Sequence, residues 1–122
     1  HKNELTEAEI ADEEILKDEN SALLEFKANK QPVGLYAGMK DFQQETIQLK
    51  KGDTFYLFTD GFADQFGGDK GKKMKYKPFK ESLLELTKVE MRSQKNILLN
   101  NFINWKGDFE QIDDVCVIGV RV

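Results

Sequence analysis

From residue 45 onward the apolar positions fall into two successive periods. Glu45, Thr46, Ile47, Gln48 and Leu49 alternate polar and apolar, the period of a half-buried strand. After Lys50-Lys51-Gly52-Asp53 comes Thr54-Phe55-Tyr56-Leu57-Phe58-Thr59, aromatic and β-favouring throughout. The pattern predicts a hairpin whose second strand is buried. Thr59-Asp60-Gly61 ends that strand abruptly, and the glycines and lysines of residues 66–76 predict a flexible loop among the most mobile parts of the fold. From Pro78 the period lengthens. Phe79, Leu83 and Leu86, continued by Glu90, share one face of a helix starting near Lys80, and a second helix follows with Ser93 as N-cap. Ile97, Leu98, Phe102 and Trp105 line one face of that second helix, and Gly107 lies just past its end. Residues 115–122 form a last buried strand. Earlier, Ala22-Leu23-Leu24-Glu25-Phe26-Lys27 alternates weakly as a further strand, broken at Gln31-Pro32-Val33-Gly34. Strand, strand, helix, helix, strand is an α+β order, with helices on one face of a mostly antiparallel sheet.

Composition bounds this picture. A chain of 122 residues with 39% hydrophobic content makes one small domain. Residues 4–20 carry eight acidic side chains and few large apolar ones, so residues 1–22 read as an acidic, solvated and mobile segment or insertion, with partner docking as the sharper role. The fold then occupies residues 23–122. A net charge of −4 argues against nucleic acid as the partner. Cys116 is the only cysteine, so no intrachain disulfide forms; within residues 115–120 it reads as a small buried hydrophobe. No stretch approaches the about 20 apolar residues of a membrane helix, and no hydrophobic region follows the first residues as in a signal peptide. The chain starts without Met, which suggests a cytoplasmic piece of something longer.

Several motifs fail on inspection. Gly67-Gly68-Asp69-Lys70-Gly71-Lys72-Lys73 is one residue short of a phosphate-binding loop and has lysine where Ser or Thr must hold magnesium. A calcium loop from Asp60 has Phe62 at a ligand position and Gly71 where the bidentate Glu belongs. His1 is the only histidine, which rules out a zinc site or a Ser-His-Asp triad. Enzyme chemistry here must rest on carboxylates. Asp60 follows a buried strand, and Asp113 and Asp114 precede another. If those strands are neighbours, Asp60 and Asp113 converge at one end of the sheet. Two carboxylates sharing a point need a counter-charge, and a hard divalent cation supplies it. Gly61 would let the backbone pass close to the ion. Turn formation or helix capping is the alternative for such strand-end aspartates. Lys70, Lys72 and Lys73 belong to a basic run with Tyr76 and Phe79. It reads as a solvated loop, a flap steering a phosphorylated substrate, or a single-strand nucleic-acid binder.

Residues 49–61, Leu-Lys-Lys-Gly-Asp-Thr-Phe-Tyr-Leu-Phe-Thr-Asp-Gly, resemble the L-x-x-G-D-x-L-x-L-Y-T-D-G segment of the protein phosphatase 2C-like family, in its bacterial sporulation and stress-sigma-regulator branch. Residues 111–120 are similar to that branch's closing Q-x-D-D-x-T-L-L-V-V, and Gln31-Pro32-Val33-Gly34 resembles its x-P-L-G. The three segments occur in the family's order across residues 31–122. The resemblance implies the C-terminal half of an α/β/β/α sandwich with mostly antiparallel strands and a two-metal site at one end. It makes Asp60 and Asp113 metal ligands, with Gly61 and Asp114 beside them. The family's Asp-Gly and His-Gly motifs have no counterpart in this sequence.

That resemblance further implies a protein serine/threonine phosphatase using two Mn2+ or Mg2+ ions. These clamp the phosphate and lower the pKa of a bridging water, which attacks phosphorus directly. Expected substrates are phosphoserine or phosphothreonine proteins such as anti-sigma-factor antagonists. Expected neighbours are sensory domains upstream in the same chain, including those of a membrane-anchored sensor. Residues 1–122 alone are expected to be inactive and prone to self-association through exposed sheet. The alternative is a catalytically silent interaction module on the same fold.

Overall fold

The computed structural model describes residues 15–122. Its elements are β1 (Ile15–Lys17), β2 (Ala22–Leu24), β3 (Thr54–Phe58), α1 (Gly61–Asp64), β4 (Phe66–Gly67), β5 (Lys72–Lys73), α2 (Tyr76–Leu86), α3 (Met91–Lys106) and β6 (Val117–Arg121). The expected α+β class is observed, with three antiparallel strand pairs: β1–β2, β3–β6 and β4–β5. Among the described residues no helix is long and apolar enough to cross a membrane.

The central pair is β3–β6, with Thr54 opposite Arg121 and Phe58 opposite Val117. Period-two alternation divides their side chains between two faces. Tyr56, Phe58 and Val117 turn toward the helices and pack on a core of Phe62, Phe79, Leu83, Leu86 and Phe102. Phe79 stacks on Phe62 at 4.6 Å and meets Phe58 edge-on at 5.0 Å, so the floor under the end of β3 is aromatic. Gly119, opposite Tyr56, makes room for that ring, since a Cβ there would lie 2.8 Å from it. Tyr56 donates its hydroxyl to Gln94 Oε1 at 2.7 Å, and Gln94 Nε2 donates to the carbonyls of Leu86 and Val89, which fastens the α2–α3 turn to the sheet. Arg121 does the same at the other end, donating to Thr54 Oγ1 and to the carbonyls of Thr87 and Val89. Phe55, Leu57, Ile118 and Val120 occupy the opposite face and are exposed.

Several expectations are corrected. Residues 45–49 form no strand: Gly52 N–H donates to the Val122 carbonyl and Val122 N–H to that of Asp53, so the turn closes β3 onto β6 instead. Ile47 and Leu49 are too little apolar surface to hold a lone strand on an open edge. Helix α2 begins at Tyr76, with Pro78 in its first turn, where a missing N–H costs nothing. Glu90, not Ser93, precedes α3 as its N-cap, and Ser93 donates its hydroxyl to the Glu90 carboxylate. Gly107 ends α3 as expected, at φ 52° with its N–H on the Ile103 carbonyl. Cys116 is exposed, since it shares the open face with Ile118 and Val120.

The acidic stretch is also partly structured. Its described end is the β1–β2 hairpin, whose turn is held by Asp18 Oδ1 accepting the N–H groups of Asn20 and Ser21. Lys88 ties that turn to the α2 end through Asp18 at 3.2 Å. The earlier part, residues 1–14, lies outside the described residues. Within residues 66–76, Phe66–Gly67 pairs with Lys72–Lys73 as a short hairpin. A Cβ on Gly67 would lie 1.9 Å from the Trp105 carbonyl oxygen, and Gly68 N–H donates to that oxygen at 2.9 Å. These glycines serve close packing on α3.

Candidate functional site

Because β3 and β6 run antiparallel, the end of one meets the start of the other. Thr59 extends the ladder beyond the strands. Its N–H donates to the Cys116 carbonyl at 3.0 Å, its hydroxyl donates to the Asp114 carbonyl at 2.9 Å, and the same oxygen accepts the Cys116 N–H at 3.0 Å. Gly61 closes the seam: a Cβ on it would lie 2.2 Å from the Asp114 carbonyl oxygen. Only glycine lets two backbones approach this closely. Asp60–Gly61 and Asp113–Asp114 therefore meet at one end of the sheet.

The carboxylates are held differently. Asp60 is the N-cap of α1, with φ −66° and ψ −18°, yet its side chain makes no capping hydrogen bond. Asp60 Oδ1 instead accepts the Tyr76 hydroxyl at 2.5 Å. That bond to a carboxylate, helped by burial, pushes the Tyr76 hydroxyl pKa up to about 12, so it remains a donor across the physiological range. Asp113 Oδ1 accepts the Asp114 N–H at 2.8 Å, and Gln111 Nε2 donates to the Asp113 carbonyl at 2.9 Å. Asp60, Asp113 and Asp114 are all exposed.

All donors at this end are oxygens, which suits a hard divalent cation. Among the described residues no group of three or more His, Cys, Asp or Glu side chains is placed to hold a metal ion. The residues present would offer oxygen ligands to one side of such an ion, and its other ligands would come from elsewhere.

The basic residues lie on the adjoining hairpin. Lys72 and Lys73 form β5, Lys70 sits in the turn before it, and Lys73 pairs with Asp64 at 3.7 Å. The hairpin leaves from α1 and returns into Tyr76, so it borders the carboxylates along the chain. Tyr76 is the residue that sequence reasoning missed. It looked like one more aromatic in a lysine-rich run, and nothing local signals that its hydroxyl reaches back to Asp60.

The family model described as stage II sporulation protein E (SpoIIE) matches residues 5–122. Among solved structures, the SiaA-PP2C domain of Pseudomonas aeruginosa is similar at TM-score 0.65 and 29% identity, over 68% of this chain and 34% of that one. The chain thus spans about a third of the length of that solved relative. No curated protein sequence matches. Phosphatases of the protein phosphatase 2C-like class generally use Mn2+ or Mg2+. With a matching model over nearly the whole chain and a strand pair that joins its T-D-G and D-D segments, the chain belongs to the SpoIIE family of protein phosphatase 2C-like bacterial phosphatases.

Proposed function

We propose that this chain is the C-terminal part of a metal-dependent protein serine/threonine phosphatase acting on a phosphorylated regulatory protein in bacterial signal transduction. The observation that carries the proposal is the convergence of Asp60 and Asp113–Asp114 at one end of β3–β6, sealed by the contact of Gly61 with the Asp114 carbonyl. Asp60 and Asp113 are the ligands this chain offers to two Mn2+ or Mg2+ ions, with Gly61 and Asp114 shaping the approach. Bound there, the ions would supply Lewis-acid chemistry to a phosphate ester and a water of lowered pKa. The chain's own work is to hold the carboxylates. The Thr59 ladder fixes both backbones, the aromatic floor of Phe58, Phe62 and Phe79 excludes water from beneath, and Tyr76 fixes the Asp60 carboxylate. Lys70, Lys72 and Lys73, on the hairpin between α1 and α2, would draw in a phosphorylated segment.

The family resemblance supports a phosphoserine or phosphothreonine protein, such as an anti-sigma-factor antagonist, as substrate, with sensory domains in the same chain and a cytoplasmic setting. Two carboxylates are too few to hold two hard ions against water, so residues 1–122 alone would be inactive. The test is hydrolysis of a phosphoserine peptide with Mn2+ by the full-length protein. Asp60→Asn and Asp113→Asn should each lower turnover about 100-fold or more, at or above the loss seen for outer-shell partners of metal ligands. Wild-type turnover by either variant would overturn the ligand assignment. Robust metal-dependent turnover by residues 1–122 alone would overturn the partial-domain reading. A silent interaction module predicts no turnover by any of these proteins.

A further inference from the structure

We infer that Tyr76 is a positioning residue for the Asp60 carboxylate, orienting one of its oxygens toward the cation; this rests on the assignment of Asp60 as a ligand. The aspartate at a helix N-cap ordinarily turns its side chain onto the first backbone N–H groups. Asp60 occupies that position and does not do so. Its Oδ1 is taken by the Tyr76 hydroxyl. Rotation about the last bond of an aspartate is soft, so a ligand carboxylate left alone samples many orientations. A hydroxyl on Oδ1 fixes that rotation and leaves Oδ2 for a cation. A neutral donor suits this role, since an ammonium in its place would repel the ion.

Tyr76 is itself tightly placed. Lys75, just before it, has φ 71°, the one non-glycine residue among those described with positive φ. Such a conformation persists only where the surroundings over-determine it. Here Met74 N–H donates to the Gln65 carbonyl at 3.0 Å and Lys75 N–H to the Ala63 carbonyl at 2.8 Å. The hairpin is thereby clamped to the α1 end, and the chain turns sharply into α2 with Tyr76 at its first position. The Tyr76 ring lies 6.4 Å from that of Phe58, and the buried Lys80 ammonium stands 6.0 Å from its centroid while paired with Glu25. Phe58 and Asp60 share one strand end, so a single rigid unit holds both members of the hydrogen bond.

The experiment is a double-mutant cycle in Mn2+ affinity, measured calorimetrically on the full-length protein with thermal melting as the control for folding. Tyr76→Phe removes only the hydroxyl and should weaken Mn2+ binding about 10-fold, the effect of losing a partner that orients a metal ligand. On an Asp60→Asn background the same substitution should change affinity by less than about twofold, since distant effects add and shared ones do not. A Y76F protein that binds Mn2+ within about twofold of wild type, or that loses as much on the D60N background as alone, overturns the inference. If D60N itself binds like wild type, the ligand assignment falls first, and that outcome is distinct. Should Y76F fail to fold, the wild-type protein labelled at tyrosine Cζ decides by NMR: a tyrosine resonance that moves with Mg2+ supports the inference, and no movement in any tyrosine overturns it.

Discussion

Both faces of the β3–β6 pair carry large apolar side chains, and the two are differently used. On one, Tyr56, Phe58 and Val117 pack against helices around a Phe79 that is 0% exposed. On the other, Leu57 is 61% exposed and Ile118 50%, with Phe55 and Val120 beside them. A sheet face that met only water would carry polar residues in alternation. The open face is therefore composed for a second layer, which agrees with the chain's matching only about a third of its solved relative. Burial on one side supplies the stability, while the composition of the other records a larger fold.

The largest expected effect separates the faces directly. Phe79→Ala should cost about 3–5 kcal/mol in urea unfolding, whether residues 1–122 or the full-length protein is measured. Ile118→Ala should cost less than about 1 kcal/mol in residues 1–122, and about 2–4 kcal/mol in the full-length protein if a second layer covers it. An equal cost in both would break the comparison. A smaller effect is expected in association: residues 1–122 should self-associate with rising concentration in sedimentation velocity, and Leu57→Asp should return them to monomer. A wild-type chain that stays monomeric throughout would mean that the open face is not sticky. The smallest effect concerns the closed side, where packing tolerates strain. Lys75→Gly should raise stability by about 0.5–1 kcal/mol by relieving a left-handed conformation, seen as a higher Tm. A lower Tm would show that Lys75 contributes more through contacts than it loses in strain.

The elements legible in the sequence were those whose own period decides them. Phe79, Leu83 and Leu86 mark α2, Phe102 and Gly107 mark α3, and residues 54–58 read as strand from β-branched and aromatic content alone. Pairing was not legible. Residues 45–49 alternate properly, yet the Asp53–Val122 bonds give the β3 edge to β6, a choice made by residues far away along the chain. Helix starts were misread where Pro78 and Ser93 carried the wrong weight, since each is compatible with an interior position of the first turn. At the candidate site, the meeting of Asp60–Gly61 with Asp113–Asp114 at one end of the sheet was legible because strand ends and a familiar motif coincide. The Tyr76–Asp60 hydrogen bond was not, because it forms only once Lys75 has turned the chain.

The antiparallel ladder also sets an order of events in time. Asp60 leaves the ribosome well before residues 117–121, and until those residues arrive β3 has no partner to set Asp60 against Asp113. Closing so long a loop is entropically slow, and it happens after the intervening helices have had time to form. The hydrophobic floor can therefore be ready before the two strand ends meet. The meeting of Asp60–Gly61 with Asp113–Asp114 thus waits for the C-terminal strand, although half of its residues are made much earlier.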